Sequence, residues 1–157
     1  MIVDCSEIIQ DRLWVGSFVR PEDVKLLEKM EISTVICLQS DQDLAIYNIS
    51  CEKLLSAYAS ARITFRRVAI PDFDTQALLA RLTQAVEELE SALDPLGARV
   101  YVHCTAGINR GPTLAAAYLI KNKGLSAREA YEYVIERRQC RPYPTVLQEY
   151  AESLAEE

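Results

Sequence analysis

In Arg99-Val100-Tyr101-Val102-His103-Cys104-Thr105-Ala106-Gly107-Ile108-Asn109-Arg110-Gly111-Pro112 a β-branched run gives way to a turn, and the turn opens into the Ala-rich segment Thr113–Ile120. The run predicts a buried strand over 99–103, and Pro112 suits the first turn of the helix that follows, which Gly124 ends. The same order of strand, turn and helix recurs on both sides. Upstream, Arg12–Gly16, Thr34–Leu38 and Ile63–Ala69 read as strands. Pro21–Met30, Cys51–Ala61 (Leu54, Leu55 and Tyr58 inward) and a long helix from about Thr75 to Leu93 read as helices. The long helix carries the stripe Leu78, Leu82, Val86, Leu89, Leu93, is capped by Asp74 or Thr75, and is stopped by Pro95 and Gly97. Ser40–Asp43 reads as a polar loop. Downstream, Ser126-Ala127-Arg128-Glu129 is a capping box for a helix to about Arg138, and Tyr143–Ala155 is a last helix. Strands alternating with helices predict an α/β fold, a central mostly parallel sheet flanked by helices.

The whole chain, 157 residues with half of them apolar and a quarter charged, fits one domain over 1–157 with a core of its own. Five glycines and six prolines leave no low-complexity linker. No apolar run approaches the roughly 18 residues of a membrane helix, and no basic region precedes an apolar stretch at the N-terminus. The expectation is a chain without membrane association or secretory signal. A net charge of −6 without a Lys/Arg cluster argues against nucleic acid as a partner. The single His rules out a zinc site with two His ligands, and no metal or other cofactor is expected. Five cysteines, an odd number without a CxxC pair, point to a reducing compartment, and the reading is cytoplasmic.

The turn 104–110 carries the chemistry. Backbone N–H groups in such a turn converge on one centre, and the following helix adds partial positive charge, which makes an oxyanion cradle of Thr105, Ala106, Gly107, Ile108 and Asn109. Cys104 lies at its base, where that field favours the thiolate, the reactive form. Gly107 lets the backbone bend without a side chain filling the cradle. Arg110 closes the rim with a planar fork able to hold two phosphate oxygens. The reaction this serves is phosphoryl transfer to sulfur followed by hydrolysis of the thiophosphate, with a proton supplied to the leaving alkoxide. Asp72 and Asp74, in the loop Pro71-Asp72-Phe73-Asp74 after a strand end, are the candidate donors. His103 reads as a brace for the turn.

His-Cys, five residues and Arg on a strand, loop and helix resemble the protein tyrosine phosphatase superfamily, and the chain length resembles its dual-specificity branch. In that branch the general acid lies about thirty residues before the nucleophile. Asp72 is 32 residues before Cys104 and Asp74 is 30 before it, so the resemblance makes Asp72 the acid and Asp74 the fallback. Pro21–Val24, Thr34–Leu44, Asp72–Asp74 and Tyr101–Gly107 further resemble the starch-excess and laforin type of glucan phosphatase, over roughly residues 8 to 150. That resemblance implies a phosphorylated polysaccharide or oligosaccharide substrate, with aromatic residues lining a channel to the cysteine. The matching positions are Tyr47 in the variable loop and Phe73 in the acid loop, with Trp14 as a further platform; flat aromatic faces stack on the apolar face of a sugar ring.

The pattern departs from the family at three places. Asn109 replaces the Gly that usually precedes the signature Arg, and Asn tolerates a left-handed backbone. Gly111 stands where many members have a Ser or Thr hydroxyl that helps the thiolate leave. Ile46 stands where the plant enzymes tend to have an aromatic. Two readings are open for Cys37: a small buried hydrophobe, which is preferred, or a disulfide partner for Cys104. Arg137, Arg138 and Arg141 read as a solvated run rather than a rim for an anionic substrate. Phosphoprotein or phosphoinositide hydrolysis is the alternative activity, although Thr105, Ala106, Ile108 and Asn109 supply no Lys for a lipid head group. A phosphate-binding pseudoenzyme needs neither a thiolate nor an acid.

Overall fold

The computed structural model describes residues 3–157. Strands β1 (Cys5–Ile9), β2 (Leu13–Gly16), β3 (Thr34–Cys37), β4 (Thr64–Arg67) and β5 (Val100–His103) form one sheet in the order β1-β2-β5-β3-β4. The pairs β2–β5, β5–β3 and β3–β4 are parallel, and β1 joins the edge antiparallel to β2. The expected α/β class is present. β1 was not foreseen: Cys-Ser-Glu-Ile-Ile lacks clean alternation, and its register slips between Glu7 and Ile9.

Alternation of side chains along the central strands divides the core in two. Val35 and Tyr101 face α1 (Val24–Lys29), α2 (Asp41–Ile46) and α3 (Cys51–Ser60), where Leu27, Leu44, Leu54 and Tyr58 are buried. Ile36 and Val102 face the other side. There α4 (Thr75–Leu93), α5 (Arg110–Lys123), α6 (Ala127–Arg137) and α7 (Pro144–Ala155) bury Leu78, Leu82, Leu89, Leu114, Val134 and Leu147. The Ala-rich face of α5, Ala115, Ala116 and Ala117, is fully buried, so small side chains let that helix lie close under the sheet. Leu54 and Tyr58 point inward as expected, but Leu55 points outward at 49% exposure: its place on the helix turns it to solvent.

Ser40–Asp43 is not a loop. Ser40 caps α2 by accepting from the Asp43 amide at 3.2 Å, while the Asp43 carboxylate accepts from the Ser40 amide at 2.8 Å. The reciprocal cap is the S-x-x-E box with Asp in the acidic position. Asp74, not Thr75, caps α4, accepting from the Ala77 amide at 2.9 Å. Each of β3, β4 and β5 ends at the same sheet edge. The segments that follow their carboxyl ends hold Asp43, in the first turn of α2, and Asp72 and Cys104, in loops, the usual placement of a site in a parallel sheet.

Candidate active site

Cys104 follows the end of β5 and is buried; its sulfur accepts from the Gly111 amide at 3.5 Å. Around it, six consecutive carbonyls are tied away from the cradle. That of Cys104 takes the His103 Nδ1–H at 3.0 Å, and that of Thr105 the Phe18 amide at 2.9 Å. Those of Ala106 and Gly107 take the Arg138 guanidinium at 3.3 and 2.7 Å. That of Ile108 takes the Arg141 amide at 2.7 Å, and that of Asn109 the amide and hydroxyl of Thr113. In a trans peptide the C=O and the next N–H point opposite ways. With their carbonyls anchored outward, the amides of residues 105–110 therefore face the cradle, which suits an oxyanion above the sulfur. Gly107 has φ 71, and a β-carbon there would lie 2.6 Å from both Arg138 Nη2 and the Gly16 carbonyl carbon, so only glycine fits. Asn109 has φ −116 and needs no left-handed tolerance; its side-chain amide instead donates to the Arg141 carbonyl at 2.9 Å.

Arg110 opens α5 and, rather than standing on the rim, is 2% exposed. Its Nη1 donates to Asp43 Oδ2 and to the Ile70 carbonyl, both at 2.7 Å, and its Nη2 to Thr105 Oγ1 at 3.3 Å, with Asp72 Oδ2 also 3.3 Å away. Its Nε–H has no partner among the described residues. Gln39, fully buried, donates to Thr105 Oγ1 at 3.1 Å and fixes that hydroxyl. Asp43 and Gln39 were not foreseen as site residues. The Ser40-x-x-Asp43 spacing was the available signal for Asp43, but its contact with Arg110 spans 67 residues and leaves no local pattern. Burial pushes the Asp43 carboxyl up, but the Arg110 hydrogen bond and charge and the Ser40 cap outweigh it and hold it below the usual range. His103 is fully buried. The Cys104 carbonyl can only accept, so the Nδ1 carries the proton, and burial first, with the Arg110 charge, lowers the imidazole to about 4.

Asp72 and Asp74 separate by environment. One Asp72 oxygen accepts from the Phe73 amide at 3.1 Å and the other faces Arg110, whereas the Asp74 carboxylate is spent on the α4 cap. Phe73 is 80% exposed at φ 59, a left-handed angle that costs a side-chain-bearing residue about 1 kcal/mol or more. Tyr47 is the C-cap of α2, one turn beyond Asp43, and is 38% exposed. Its ring lies 5.0 Å from that of Phe18, a neighbour the sequence did not single out. Trp14 is 7% exposed beneath the Arg99 guanidinium, 4.6 Å above its ring, and cannot serve as a sugar platform. Burial, followed by the charge of Asp72, raises the phenol of Tyr143.

The preferred reading of Cys37 as a small buried hydrophobe holds, while that of Arg138 changes. Cys37 pairs in register with His103 on the face of Val35 and Tyr101, whereas Cys104 belongs to the core on the opposite face of the sheet. A bridge between them requires backbone movement. Burial pushes the Cys37 thiol up to about 12, as befits a small hydrophobe. Arg138 is not solvated: it is 7% exposed, while Arg137 stacks over Tyr133 at 3.4 Å and Arg141 is exposed. Among the described residues no helix is long and apolar enough to cross a membrane, and no group of three His, Cys, Asp or Glu is placed to hold a metal.

Comparison with known proteins matches this arrangement. The dual specificity phosphatase catalytic domain family matches residues 13–155. Phosphoglucan phosphatase DSP4, amyloplastic, of Castanea sativa is 35% identical over 137 residues, 85% of this chain and 36% of that protein. Tyrosine-protein phosphatase vhp-1 of Caenorhabditis elegans is 30% identical over 135 residues, 86% of this chain and 19% of that protein. The chain thus spans about a third or less of the length of these relatives. The crystal structure of PTPMT1 in complex with PI(5)P superposes with a TM-score of 0.79 over 98% of both chains at 23% identity, a likeness of fold. The geometry of the 104–110 turn and the sequence match agree: the chain belongs to the dual-specificity phosphatase family.

Proposed function

We propose that the chain removes phosphate from a phosphorylated glucan through a phosphocysteine intermediate. The Cys104 thiolate attacks phosphorus and the bond to the sugar oxygen breaks. The Asp72 carboxylic acid gives its proton to the departing alkoxide. The inward amides of 105–110 and the Arg110 Nε–H take up the charge of the equatorial oxygens. Water, deprotonated by the Asp72 carboxylate, then attacks phosphorus, the P–S bond breaks, and inorganic phosphate leaves with Cys104 again a thiolate. Asp74 has no part, because its carboxylate holds the helix.

The observation that carries the glucan reading is Phe73, an aromatic ring held out to solvent at a left-handed backbone angle one residue from the acid. A protein does not keep such strain on an exposed apolar ring for packing, and sugar stacking uses just such a face. Tyr47 supplies a second exposed ring, and the similarity to a phosphoglucan phosphatase supports the same substrate. The alternative is a phosphoprotein substrate, favoured by the similarity to a tyrosine-protein phosphatase. A phosphoinositide is less suited by a cradle without Lys. Five free cysteines suit a reducing compartment, and the cytoplasm is the setting we infer.

The test is phosphate release from solubilised phosphoglucan, phosphotyrosine peptide and phosphoinositide by wild type and Cys104→Ser. Glucan is expected to be the best substrate and Cys104→Ser inert on all three; faster release from peptide rejects the glucan assignment. Asp72→Asn is expected to slow sugar phosphates about 10²-fold or more while sparing aryl phosphates, whose leaving groups need little protonation. That pattern in Asp74→Asn instead overturns the choice of acid.

A further inference from the structure

Arg138, at the C-terminal end of α6, lies outside the signature segment, 28 residues after Arg110. Its backbone is extended, φ −140 and ψ 139, which aims the side chain away from the helix and under the turn 104–110. Every N–H of its guanidinium is engaged. Nε donates to the Gly107 carbonyl at 2.7 Å, Nη2 to the Ala106 carbonyl at 3.3 Å and to Asp4 Oδ2 at 3.3 Å, and Nη1 to Asp4 Oδ1 at 3.2 Å and Ser6 Oγ at 3.3 Å. A guanidinium has five such donors and no acceptor, so none is left for a substrate. The residue is therefore placed to act on the cradle and not on a ligand.

We propose that Arg138 is a positioning residue of the oxyanion cradle. The inference rests on the reading of the 104–110 turn as the phosphate site. Two of the six outward carbonyls, those of Ala106 and Gly107, are held by this one side chain, and their peptide units carry the N–H groups of Gly107 and Ile108. A cation bonded to a carbonyl oxygen fixes the direction of that peptide and draws electron density from its N–H, strengthening the N–H as a donor to an anion on the far side. The contact is close-packed: a β-carbon on Gly107 would meet Arg138 Nη2 at 2.6 Å. Asp4, more than half exposed and just before β1, and Ser6, within it, hold the other edge of the fork, so the start of that edge strand orients the side chain that orients the cradle. Such a role explains why an arginine in a run of three is buried while its neighbours stay at the surface.

The test uses Arg138→Met, which keeps the stem and removes all donors, and Arg138→Lys, which keeps the charge but not the fork. Three readouts apply: kcat/KM on an aryl phosphate, its pH profile, and the concentration of inorganic phosphate that protects Cys104 from iodoacetamide. Removing one donor to a developing oxyanion costs about 10²–10³ in turnover. Loosening two donors without removing either is therefore expected to lower kcat/KM about 10–100-fold in Arg138→Met, to weaken phosphate protection about as much, and to move the acidic limb of the pH profile to higher pH. Arg138→Lys is expected to recover part of each. Wild-type phosphate protection and pH profile in folded Arg138→Met, with only a lowered melting temperature, overturn the proposal. If Arg138→Met fails to fold, wild-type values in Arg138→Lys do the same, because a lysine keeps the charge but lacks the planar fork that fixes the two carbonyls together. Cys104→Ser separates the two readings: turnover retained there would reject the site itself, whereas an inert Cys104→Ser beside an unaffected Arg138→Met would reject only the role of Arg138.

Discussion

Asp43 and Arg110 form a buried ion pair at 2.7 Å with side-chain exposures of 8% and 2%, and the pair shows what a residue-level reading gains from the structure. Two desolvated charges are tolerable because each has further partners: Asp43 the Ser40 amide and hydroxyl, Arg110 the Ile70 carbonyl, Thr105 and Asp72. Removing one partner strands the other, so Asp43→Ala is expected to destabilise the fold by about 3–5 kcal/mol in urea denaturation. Asp43→Asn keeps much of the cap and the shape but loses the charge. Its kcat/KM is expected to fall about tenfold or more, through misplacement of Arg110, with a smaller loss of stability. Full activity in Asp43→Asn would mean that the other contacts of Arg110 suffice to hold it. Cys104, Gly107 and Arg110 were legible in the sequence because the cradle is one continuous turn whose spacing states its geometry. Asp43, Gln39 and Arg138 were not, because each reaches the turn from a distant element. A capped helix start looks like a polar loop, and a buried Arg looks like a solvated one, until the fold supplies the partner.

At the scale of elements, α4 was read well because its stripe of Leu and Val repeats over about four turns, and all of Leu78, Leu82, Val86, Leu89 and Leu93 are buried. Short elements were read less well. β1 has five residues with mixed exposure, and α2 is six residues whose start is set by a cap rather than by periodicity. The loop between β4 and α4 is the element on which the substrate assignment turns. It places Asp72 against Arg110, Phe73 in solvent and Asp74 on the helix cap within three consecutive residues, and the left-handed Phe73 is what lets successive side chains serve three directions. Phe73→Gly relieves the backbone strain, while its added freedom in the unfolded chain offsets the gain. Stability is therefore expected to stay within about 1 kcal/mol of wild type. Loss of a stacking face worth about 0.5–1.5 kcal/mol corresponds to a roughly 2–12-fold fall in kcat/KM on phosphoglucan, with aryl phosphate turnover unchanged. An equal fall on both substrates would show that Phe73 serves the acid loop and not the sugar.

For the molecule as a whole, the sheet between two helical layers buries one imidazole at its centre, and that choice sets a pH dependence of stability. The α/β class followed from the alternation of strands and helices, but the depth of His103 did not, since a residue at the junction of a strand and a polar turn is as well placed to be open to solvent. In the folded chain it has no exposure, its charged form is lowered to about 4 by burial and then by Arg110, and its Nδ1 braces Cys104. In the unfolded chain it titrates near the ordinary 6.5. Between these values the unfolded state holds a proton that the folded state refuses, so stability falls as pH drops from about 6.5 to about 4 and this contribution levels off below. The limiting slope is about 1.4 kcal/mol per pH unit and the total about 3 kcal/mol. Asp43, held below its ordinary value, adds a further loss at still lower pH, where protonation breaks its pair with Arg110. Urea denaturation at intervals from pH 7 to pH 4 checks the slope, with His103→Asn as the comparison. Asn can offer a donor toward the Cys104 carbonyl but has no proton to gain, so the variant, although less stable at pH 7, is expected to lose the His-linked part of the slope. If wild type and His103→Asn lose stability in parallel across that window, the acid sensitivity belongs to the carboxylates and the imidazole contributes none of it.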